Sequence, residues 1–438
     1  MTSRCRLGLF RILPLLALAI AALLLPSTAL GQGVMRDVDD EEFEPTFALV
    51  PFAFYSEVFE FAAGGSMVSN GLLQPQFSLV ATGFVSTNGS TSLSVIADSY
   101  DVPKVERLFM DASLWTNDLE ELRAYVDGNP NYPNERAGSN DSSEDNFLFG
   151  EGTDHFVSFT LRYVLPLGHS REEPIHTYYL RDGLLDSNPS GGDFWNPLES
   201  GRTFVEVQPF YRAQGFDITD VDRDGESNDL KTNGVRFWLT HDNRDFPSNP
   251  ERGSLQRLGI SRDWGFNDST APWTSLEAEY SKYFPLGTND TFRQCVLALN
   301  AWTAYVPTWD SGNRTPHRPP QFAGATLGGL FRLRGFPASR FHDKAAVHYA
   351  AELRLMPHAN PVGKGSFLEF LDIDWIQFVP FAEVGRVSET WSVGELHDDM
   401  QWDVGFGVRA FASRIVVRVD FAVSDEDVGV QMMIGQPF

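Results

Sequence analysis

The sequence is poor in cysteine and in basic residues, and each shortage excludes a class of protein. Cys5 and Cys295 are the two cysteines in 438 residues, and Cys5 lies in an N-terminal segment that we expect to be removed, so no intramolecular disulfide is predicted. Lys and Arg number 34 against 59 Asp and Glu, which gives a formal net charge of −25. Nucleic-acid binding is therefore not expected, because clusters of Lys and Arg are what neutralise phosphates.

Long apolar runs are also missing after residue 31. A helical membrane span needs about 18 to 20 continuous apolar residues, and no later segment approaches that length. The one apolar run, at residues 12–25, follows three arginines and precedes a small-x-small site at residues 29–31. This order predicts a signal peptide over residues 1–31 rather than a retained anchor, for which the run is short. Its removal takes three arginines and no acids, so the formal charge changes from −25 to −28.

Apolar and polar residues alternate strictly in the second half of the chain. Between residues 414 and 423 one parity is wholly apolar: Ile415, Val417, Val419, Phe421 and Val423. The other parity carries charge: Arg414, Val416, Arg418, Asp420 and Ala422. Successive side chains of a strand point to opposite faces, so this segment predicts a strand with one apolar and one charged face. The same pattern recurs at 235–242, 347–355 and 402–411.

A soluble β-sandwich would alternate as well, with its apolar face turned inward. Here the polar faces combine opposite charges with glycines at strand centres, which suits a hydrated barrel lumen. Strands of about ten residues with one apolar face are the signature of a transmembrane barrel, and 13% aromatic residues fit girdles at the membrane interfaces. The sequence therefore predicts an all-β, antiparallel transmembrane β-barrel, closed so that no backbone edge lies unpaired in lipid.

Strand positions are clearer in the second half of the chain than in the first. Later strands are expected at 233–245, 252–265, 273–286, 291–307, 345–356, 376–387, 401–411, 413–423 and 428–438, the last with Phe438 on its apolar face. Earlier strands are expected near 58–67, 76–87, 91–101, 107–117 and 154–165, with the register before 233 left open. Short turns on one side should face long polar loops on the other, namely 119–152, 183–200, 217–232 and 309–344.

Four motifs in the second half occur in an order that resembles one family of barrels. Residues 331–336, Phe-Arg-Leu-Arg-Gly-Phe, resemble its Arg-Gly-Phe/Tyr loop, and Glu-Leu-Arg follows at 352–354. Residues 241–253 resemble its Asp-x-Arg-Asp…Pro-x-x-Gly turn, and Phe-Ala-Glu-Val-Gly at 381–385 resembles its Phe-x-Asp-x-Gly strand. The sequence ends in Phe438, as many such barrels do. Together these motifs resemble the BamA/TamA-type superfamily of outer-membrane assembly and translocation barrels, which includes the bacterial surface antigens.

The resemblance implies a barrel of sixteen strands in which the loop at 309–344 folds back into the lumen. In the family the loop arginine meets the acidic residue of a later strand, so Arg334 is expected to pair with Glu383. Glu stands here where Asp is common in the family. Gly335 would permit the close approach, and Phe336 completes the loop motif. The pair either pins the loop inside a pore or takes a direct part in substrate passage.

Strand parity supports the lumenal position of the acidic partner. Phe381, Glu383 and Gly385 share one parity, and the opposite parity is apolar enough to face lipid. A guanidinium and a carboxylate in a partly dehydrated lumen can form two parallel charge-assisted hydrogen bonds. The terminal Phe438 is expected to act as an assembly signal, by resemblance to other outer-membrane barrels.

Residues 32–56 are predicted to be an acidic periplasmic linker, with the barrel at 57–438. About 25 residues are too few for an independent domain. Family members that assemble or secrete proteins usually carry periplasmic POTRA domains before the barrel, and this linker has no room for one or for an N-terminal phospholipase domain.

A weak metal motif lies in one of the long loops. Asp220, Asp222 and Asp224, followed by Gly225, resemble the first half of an EF-hand calcium loop. Lys231 stands where the bidentate Glu would be, so a solvated acidic loop is the favoured interpretation and weak calcium binding the alternative. No nucleophile elbow of the Gly-x-Ser-x-Gly type occurs, and neither an enzyme nor a cofactor is expected.

Two functions stay open at the level of sequence. The first is a factor that assists insertion or translocation of proteins at the outer membrane, with a barrel that opens between its first and last strands. It predicts a separate periplasmic partner chain that binds near residues 32–56. The second is a passive pore, a surface antigen or the membrane anchor of a multi-chain envelope complex. Both place the chain in the outer membrane, in contact with lipid.

Overall fold

The computed structural model describes residues 33–39, 43–56, 59–217, 229–311, 317–363, 366 and 372–438. The predicted signal peptide at 1–31 and the three aspartates of the calcium-like motif lie outside the described residues. Within the described ranges, no helix is both long enough and apolar enough to span a bilayer.

Strands make up almost all of the regular structure. They are β1 (Gly33–Asp37), β2 (Thr46–Ser56), β3 (Glu60–Asn70), β4 (Ser78–Ser86), β5 (Thr91–Asp101), β6 (Leu108–Ala124), β7 (Leu148–Val164), β8 (His176–Arg181), β9 (Leu184–Ser187), β10 (Arg202–Asp217), β11 (Leu230–Asp242), β12 (Gly253–Asp263), β13 (Trp273–Gly287), β14 (Phe292–Tyr305), β15 (Ala325–Leu327), β16 (Phe341–Asp343), β17 (Ala345–Pro357), β18 (Ile373–Ser388), β19 (Gln401–Ala412), β20 (Ile415–Val423) and β21 (Val428–Ile434). A 3-10 turn at Gly168–Ser170 and a short helix α1 (Val393–Leu396) complete the set.

One antiparallel sheet of sixteen strands forms the barrel wall, in the order β2 to β7, β10 to β14 and β17 to β21. This confirms the predicted all-β barrel and its strand number. The nine strands predicted after residue 233 agree with β11–β14 and β17–β21 within a few residues at most ends. Side chains such as Phe237, Leu258 and Phe406 are exposed on the outside, where lipid would lie, while Arg409 and Arg418 are buried inside.

The barrel begins earlier than the sequence predicted. β2 pairs along its whole length with β3, so the wall starts at residue 46 rather than 57, and the linker prediction is wrong over this part. The alternation that marks later strands is weak here because both faces of β2 are apolar. Phe47 and Leu49 face outward, while Phe52 and Phe54 face inward and are buried.

A separate three-stranded sheet packs against one end of the barrel. β1 pairs in parallel with β8, and β8 pairs antiparallel with β9. Tyr178 and Leu180 of β8 pack against the lumenal side chains Trp375 and Phe411. The Trp375 indole N–H donates to the Gly183 carbonyl oxygen at 2.9 Å. We call this element the end sheet; it covers the mouth of the barrel beside the C-terminal residues.

The end sheet corrects the predicted arrangement of loops. Residues 165–201 connect β7 to β10, the sixth and seventh strands of the wall, whereas residues 306–344 connect the eleventh and twelfth. Strands of an antiparallel sheet alternate in direction, so these two connections emerge at opposite ends. The prediction that 183–200 lies on the same side as 309–344 was therefore wrong. Leu184 and Leu185 within it pack, partly buried, in the end sheet, whereas Phe194, Trp195 and Leu198 are exposed.

The two edges of the wall overlap instead of pairing, so the predicted closure by backbone hydrogen bonds is not found among the described residues. No backbone ladder joins β2 to β21 in the part of the chain that the structure describes. Val430 and Met432, on the outward face of β21, pack against Phe52 and Phe54 on the inward face of β2. A second contact of the same kind joins inward residues of β3 and β4 to outward residues of β20 and β21: Val68, Val80, Ile415, Val417 and Ile434. We call this overlap the seam.

Candidate functional site

The candidate site is built around one arginine in the lumen. Residues 306–311 and 317–344, which follow β14, fold back into the barrel, and Arg334 within them is fully buried. Its guanidinium contacts carboxylates from three strands: Nε is 3.2 Å from Glu383, Nη2 is 3.1 Å from Glu352, and Nη1 is 2.7 Å from Asp420. Its backbone N–H donates to Glu383 at 2.8 Å. The structure thus brings Arg334 and Glu383 together in the lumen, in the arrangement that the resemblance implied.

More charges surround this centre than the sequence analysis identified. Four buried arginines face four carboxylates: Arg334, Arg354, Arg409 and Arg418 with Glu352, Glu383, Asp403 and Asp420. Such a balance is needed, because a buried charge without a partner costs several kcal/mol. The sequence indicated some of these residues. Arg418 and Asp420 share the charged face of one strand, and Glu352 stands in the Glu-Leu-Arg motif. We call these eight residues the loop hub.

Close packing explains the other residues of the two motifs. A Cβ atom on Gly335 would lie 2.8 Å from the Asp403 Cβ, so a side chain there would collide with the wall. A Cβ on Gly385 would lie 3.0 Å from a methyl group of Leu327. The ring of Phe381 lies against the Arg334 guanidinium, with 3.5 Å between Cζ and the ring centroid. Gly335, Gly385 and Phe381 therefore shape the space around the arginine.

Phe336 belongs to a different environment. Its ring packs edge to face against Phe341, with 5.1 Å between centroids, in an apolar cluster that also contains Trp302 and Leu333. This cluster anchors the loop beside the charged hub.

The terminal Phe438 lies in the lumen. β21 ends at Ile434, Gly435 has a φ of 92°, and the last residues turn inward. The Phe438 ring packs with Tyr283 and Ala298 on the lumenal face of the wall. The prediction that Phe438 continues the apolar face of the last strand was wrong, because the strand stops four residues earlier and the apolar ring finds a lumenal pocket.

The turn at 241–253 has a structural role. The Arg244 guanidinium donates two hydrogen bonds to the Asp242 carboxylate, at 2.9 and 2.7 Å. The Asp245 carboxylate accepts backbone N–H groups of Phe246 and Glu251 at 2.9 and 3.1 Å. These contacts hold the β11–β12 connection closed against residues of the 165–201 segment. Among the residues that the structure describes, no group of His, Cys, Asp or Glu is arranged to hold a metal ion.

A second arginine-centred cluster lies elsewhere in the wall. Arg162 of β7 is fully buried, and its Nε donates to Glu206 of β10 at 2.8 Å. Its Nη2 is 2.6 Å from Asp111 of β6, and its Nη1 is 3.6 Å from Asp98 of β5. We call these four residues the strand hub. The sequence analysis missed it because the register before residue 233 was open.

Comparison with known proteins decides the family. A model of the Omp85 superfamily domain matches residues 197–438, which is more than half of the chain. The chain belongs to the Omp85 superfamily. The match spans the loop hub and the last ten strands of the wall. The Omp85 superfamily is one of outer-membrane proteins that insert or transport other molecules.

Solved structures of other proteins are similar to this chain at low sequence identity, and one of them shares its fold with a TM-score above 0.5. CdiB from Escherichia coli is similar over 90% of this chain and 62% of its own, with 11% identity and a TM-score of 0.52. BamA from Haemophilus ducreyi lacking POTRA domains 1–3 covers 90% of this chain and 70% of its own, with 12% identity and a TM-score of 0.48. CdiB from Acinetobacter baumannii covers 89% and 59%, with 12% identity and a TM-score of 0.47.

These likenesses concern the fold alone. This Omp85 chain spans about 60% of the length of the two CdiB chains. No match was found among curated proteins.

Proposed function

We propose that this Omp85 protein assists insertion or translocation of proteins at the outer membrane by parting its seam. The observation that supports this most directly is the overlap of the two sheet edges without a backbone ladder between β2 and β21 in the described residues. Membership of the Omp85 superfamily supports the same role at the level of the family.

The seam is the weakest join in the wall. Neighbouring strands elsewhere share long ladders, for example the full length of β2 with β3. At the seam, apolar side chains of β20 and β21 lie against apolar side chains of β2 to β4. Contacts of this kind gain little inside a bilayer, because lipid tails offer the same apolar surroundings. Parting the seam therefore costs less than breaking any neighbouring ladder.

A filled lumen argues against the alternative of a passive pore. Residues 317–344 occupy the interior from one end, and the end sheet covers the other mouth. An open pore would need a continuous water path past both. Steady conductance of the purified protein in planar bilayers would favour the pore and count against the seam.

The predicted periplasmic partner would meet the barrel at the end sheet. Residues 33–37 of the proposed binding segment form β1 there, and residues 46–56 are part of the wall. Asp39, which is exposed just after β1, is a suitable position for a photo-crosslinking residue. We expect crosslinking in intact envelopes to recover one stoichiometric partner, and recovery of none would count against recruitment through this segment.

The seam can be tested by tying it shut. The Asn70 side-chain amide donates to the Ser413 carbonyl oxygen at 2.8 Å, across the overlap. In a Cys295→Ser background, Asn70→Cys with Ser413→Cys can be joined by a short bis-maleimide. We expect the joined protein, reconstituted in liposomes, to insert an unfolded outer-membrane protein no faster than empty liposomes do.

A matched pair of cysteines controls for the crosslinker. The hydroxyls of Ser66 and Thr82 lie 2.8 Å apart within the β3–β4 ladder, so joining them does not link the two edges of the wall. Joining Ser66→Cys to Thr82→Cys should leave insertion unchanged. Equal insertion by the seam-joined and control-joined proteins would show that the seam does not need to part.

A further inference from the structure

The last hairpin of the wall, β20 and β21 with their turn, is joined to β19 by a backbone ladder and is tied on its lumenal side to the loop inside the barrel. The Arg418 side chain donates to the Leu330 carbonyl oxygen at 2.7 Å, and Arg334 contacts Asp420. The Gln431 amide donates to the Arg334 carbonyl oxygen at 2.9 Å. These three polar contacts all join the hairpin to residues 330–334 of the loop.

The turn of the hairpin is tied to the same loop. The Ser424 hydroxyl donates to the Gly335 carbonyl oxygen at 2.9 Å. The Arg340 guanidinium donates to both carboxylate oxygens of Glu426, at 2.6 and 2.8 Å. Residues 330–340 therefore contact both strands of the hairpin and the turn between them.

The loop and the last strand approach so closely that no side chain fits between them. A Cβ on Gly429 of β21 would lie 2.3 Å from the Arg334 carbonyl oxygen. Gly429 and Gln431 face the lumen, whereas Val430 and Met432 between and beyond them face the first strands. The inner face of β21 thus meets the loop, and its outer face meets the seam.

These contacts are unequal in kind. On the loop side the hairpin has charged pairs and hydrogen bonds, and on the seam side it has mainly apolar side chains. We infer that residues 330–340 lock the last hairpin beneath the first strands, with Gln431 and Glu426 as the positioning residues that make the lock. When the loop moves outward, the hairpin keeps its ladder with β19 but loses its directional contacts on the lumenal side, and the seam is free to part.

The lock also reaches another connection at the same end of the barrel as the hairpin turn. Arg340 donates to the Ser142 hydroxyl at 2.8 Å, and Arg136 forms an ion pair with Asp343. Ser142 and Arg136 lie in the connection between β6 and β7. A ligand that moves this connection would therefore act on the hairpin through Arg340.

The lock deepens the proposed function and rests on it only for its biological purpose. Whether the hairpin stays beneath the first strands can be measured in the purified barrel, with no protein to be inserted. A failed lock with a working seam, or the reverse, would be seen separately.

The experiment measures directly whether the last strand lies beneath the first strand. Phe54 is replaced by a photo-reactive benzoyl-phenylalanine, and the crosslink to residues 428–434 is quantified by mass spectrometry of the folded protein in detergent. We expect Gln431→Leu with Glu426→Ala to lower this yield at least about fivefold, because one hydrogen bond contributes roughly that factor to an equilibrium constant. Gly429→Val should lower it as well, by steric pressure instead of a lost hydrogen bond.

The matched control cuts the loop from a different neighbour. Arg136→Ala removes the ion pair to Asp343 but leaves every contact with the hairpin, so the crosslink yield should stay at the wild-type level. Folding of each variant is checked by its heat-dependent mobility in gels. An unchanged yield in either folded lock variant would overturn the lock, and so would an equal loss in Arg136→Ala.

Discussion

The loop hub and the strand hub use the same chemistry in two different places. In each, one fully buried guanidinium meets three carboxylates from three strands. Arg162 lies within β7, which pairs with β6 on one side and β10 on the other. Arg334 lies in the 306–344 segment, outside any ladder of the wall. The two arginines therefore contact the same type of partner, but one lies on a strand of the wall and the other on a loop.

This difference decides which cluster can be undone. Displacing Arg162 requires breaking the hydrogen bonds of a strand in the middle of the sheet, so the strand hub is permanent. Arg334 can leave with its loop while every ladder stays intact, and water can then enter to solvate the three acids. A buried charge cluster on a loop can thus dissociate and form again, whereas the same cluster on a strand is a permanent part of the wall.

The largest effect is expected from Arg162→Leu. Removing this guanidinium leaves Asp98, Asp111 and Glu206 uncompensated in a wall that cannot rearrange to admit water easily. Breaking a buried ion pair from one side costs about 3–5 kcal/mol, so the folded fraction and the melting temperature in detergent should both fall steeply. Heat-dependent gel mobility and thermal unfolding measure this.

Arg257→Leu is a suitable control, because its side chain is 4.0 Å from the same Glu206 at the edge of the cluster. It should cost much less than Arg162→Leu. If the two variants unfold at the same temperature, the strand hub has no special place in the stability of the wall.

A smaller global effect is expected from Arg334→Ala. The loop should detach from the lumen, which lets water reach Glu352, Glu383 and Asp420 and limits the loss of stability. The barrel should still insert into membranes, but added protease should now cut within residues 309–344. Limited proteolysis of intact cells or proteoliposomes, followed by mass spectrometry, measures the cleavage.

Arg162→Leu serves as the contrast, since any molecule of that variant that folds should keep the loop protected. Protease resistance of Arg334→Ala equal to that of the wild type would place the loop's anchorage elsewhere, for example in the Phe336 cluster, and would remove the contrast between the two hubs.

The sequence predicted the loop hub better than the strand hub for physical reasons. Strands such as β19 and β20 place charges on one face and apolar residues on the other, so their parity fixes which residues face the lumen. The contact of Arg334 with Glu383 then followed from motifs that resemble a known family. The strand hub needs the register of β5, β6, β7 and β10, which short-range alternation could not supply.

Segments that are apolar on both faces escaped the sequence analysis altogether. β2 was assigned to a linker, because alternation is lost when both faces of a strand are buried or face lipid. β9 lies in the predicted polar loop at 183–200, and β8 lies in the region where the number of strands was left open. The overlap at the seam depends on packing between residues nearly 400 positions apart in the chain, and the inward turn of Phe438 depends on packing against Tyr283 and Ala298 of other strands. No local pattern carries that information.

The smallest effect concerns a carboxyl group that sits close to backbone donors instead of an arginine hub. Asp245 lies in the β11–β12 turn, where burial raises its pKa to about 6, above the value of about 3.9 for an unfolded chain. The folded state therefore binds more protons than the unfolded state between pH 4 and pH 6. Stability should rise as pH falls through this window, and the cost of the buried charge should be complete above pH 6.

Asp245→Asn should abolish this pH dependence while keeping an oxygen that accepts the backbone N–H groups of Phe246 and Glu251. The difference between the two proteins at pH 8 is expected to be at most about 3 kcal/mol, from two pKa units. Thermal unfolding in detergent from pH 4 to pH 8 measures it, with Glu251→Gln, an exposed acid in the same turn, as the control. If the slope survives in Asp245→Asn, another group titrates in this window, and burial of Asp245 is not the cause of the pH dependence.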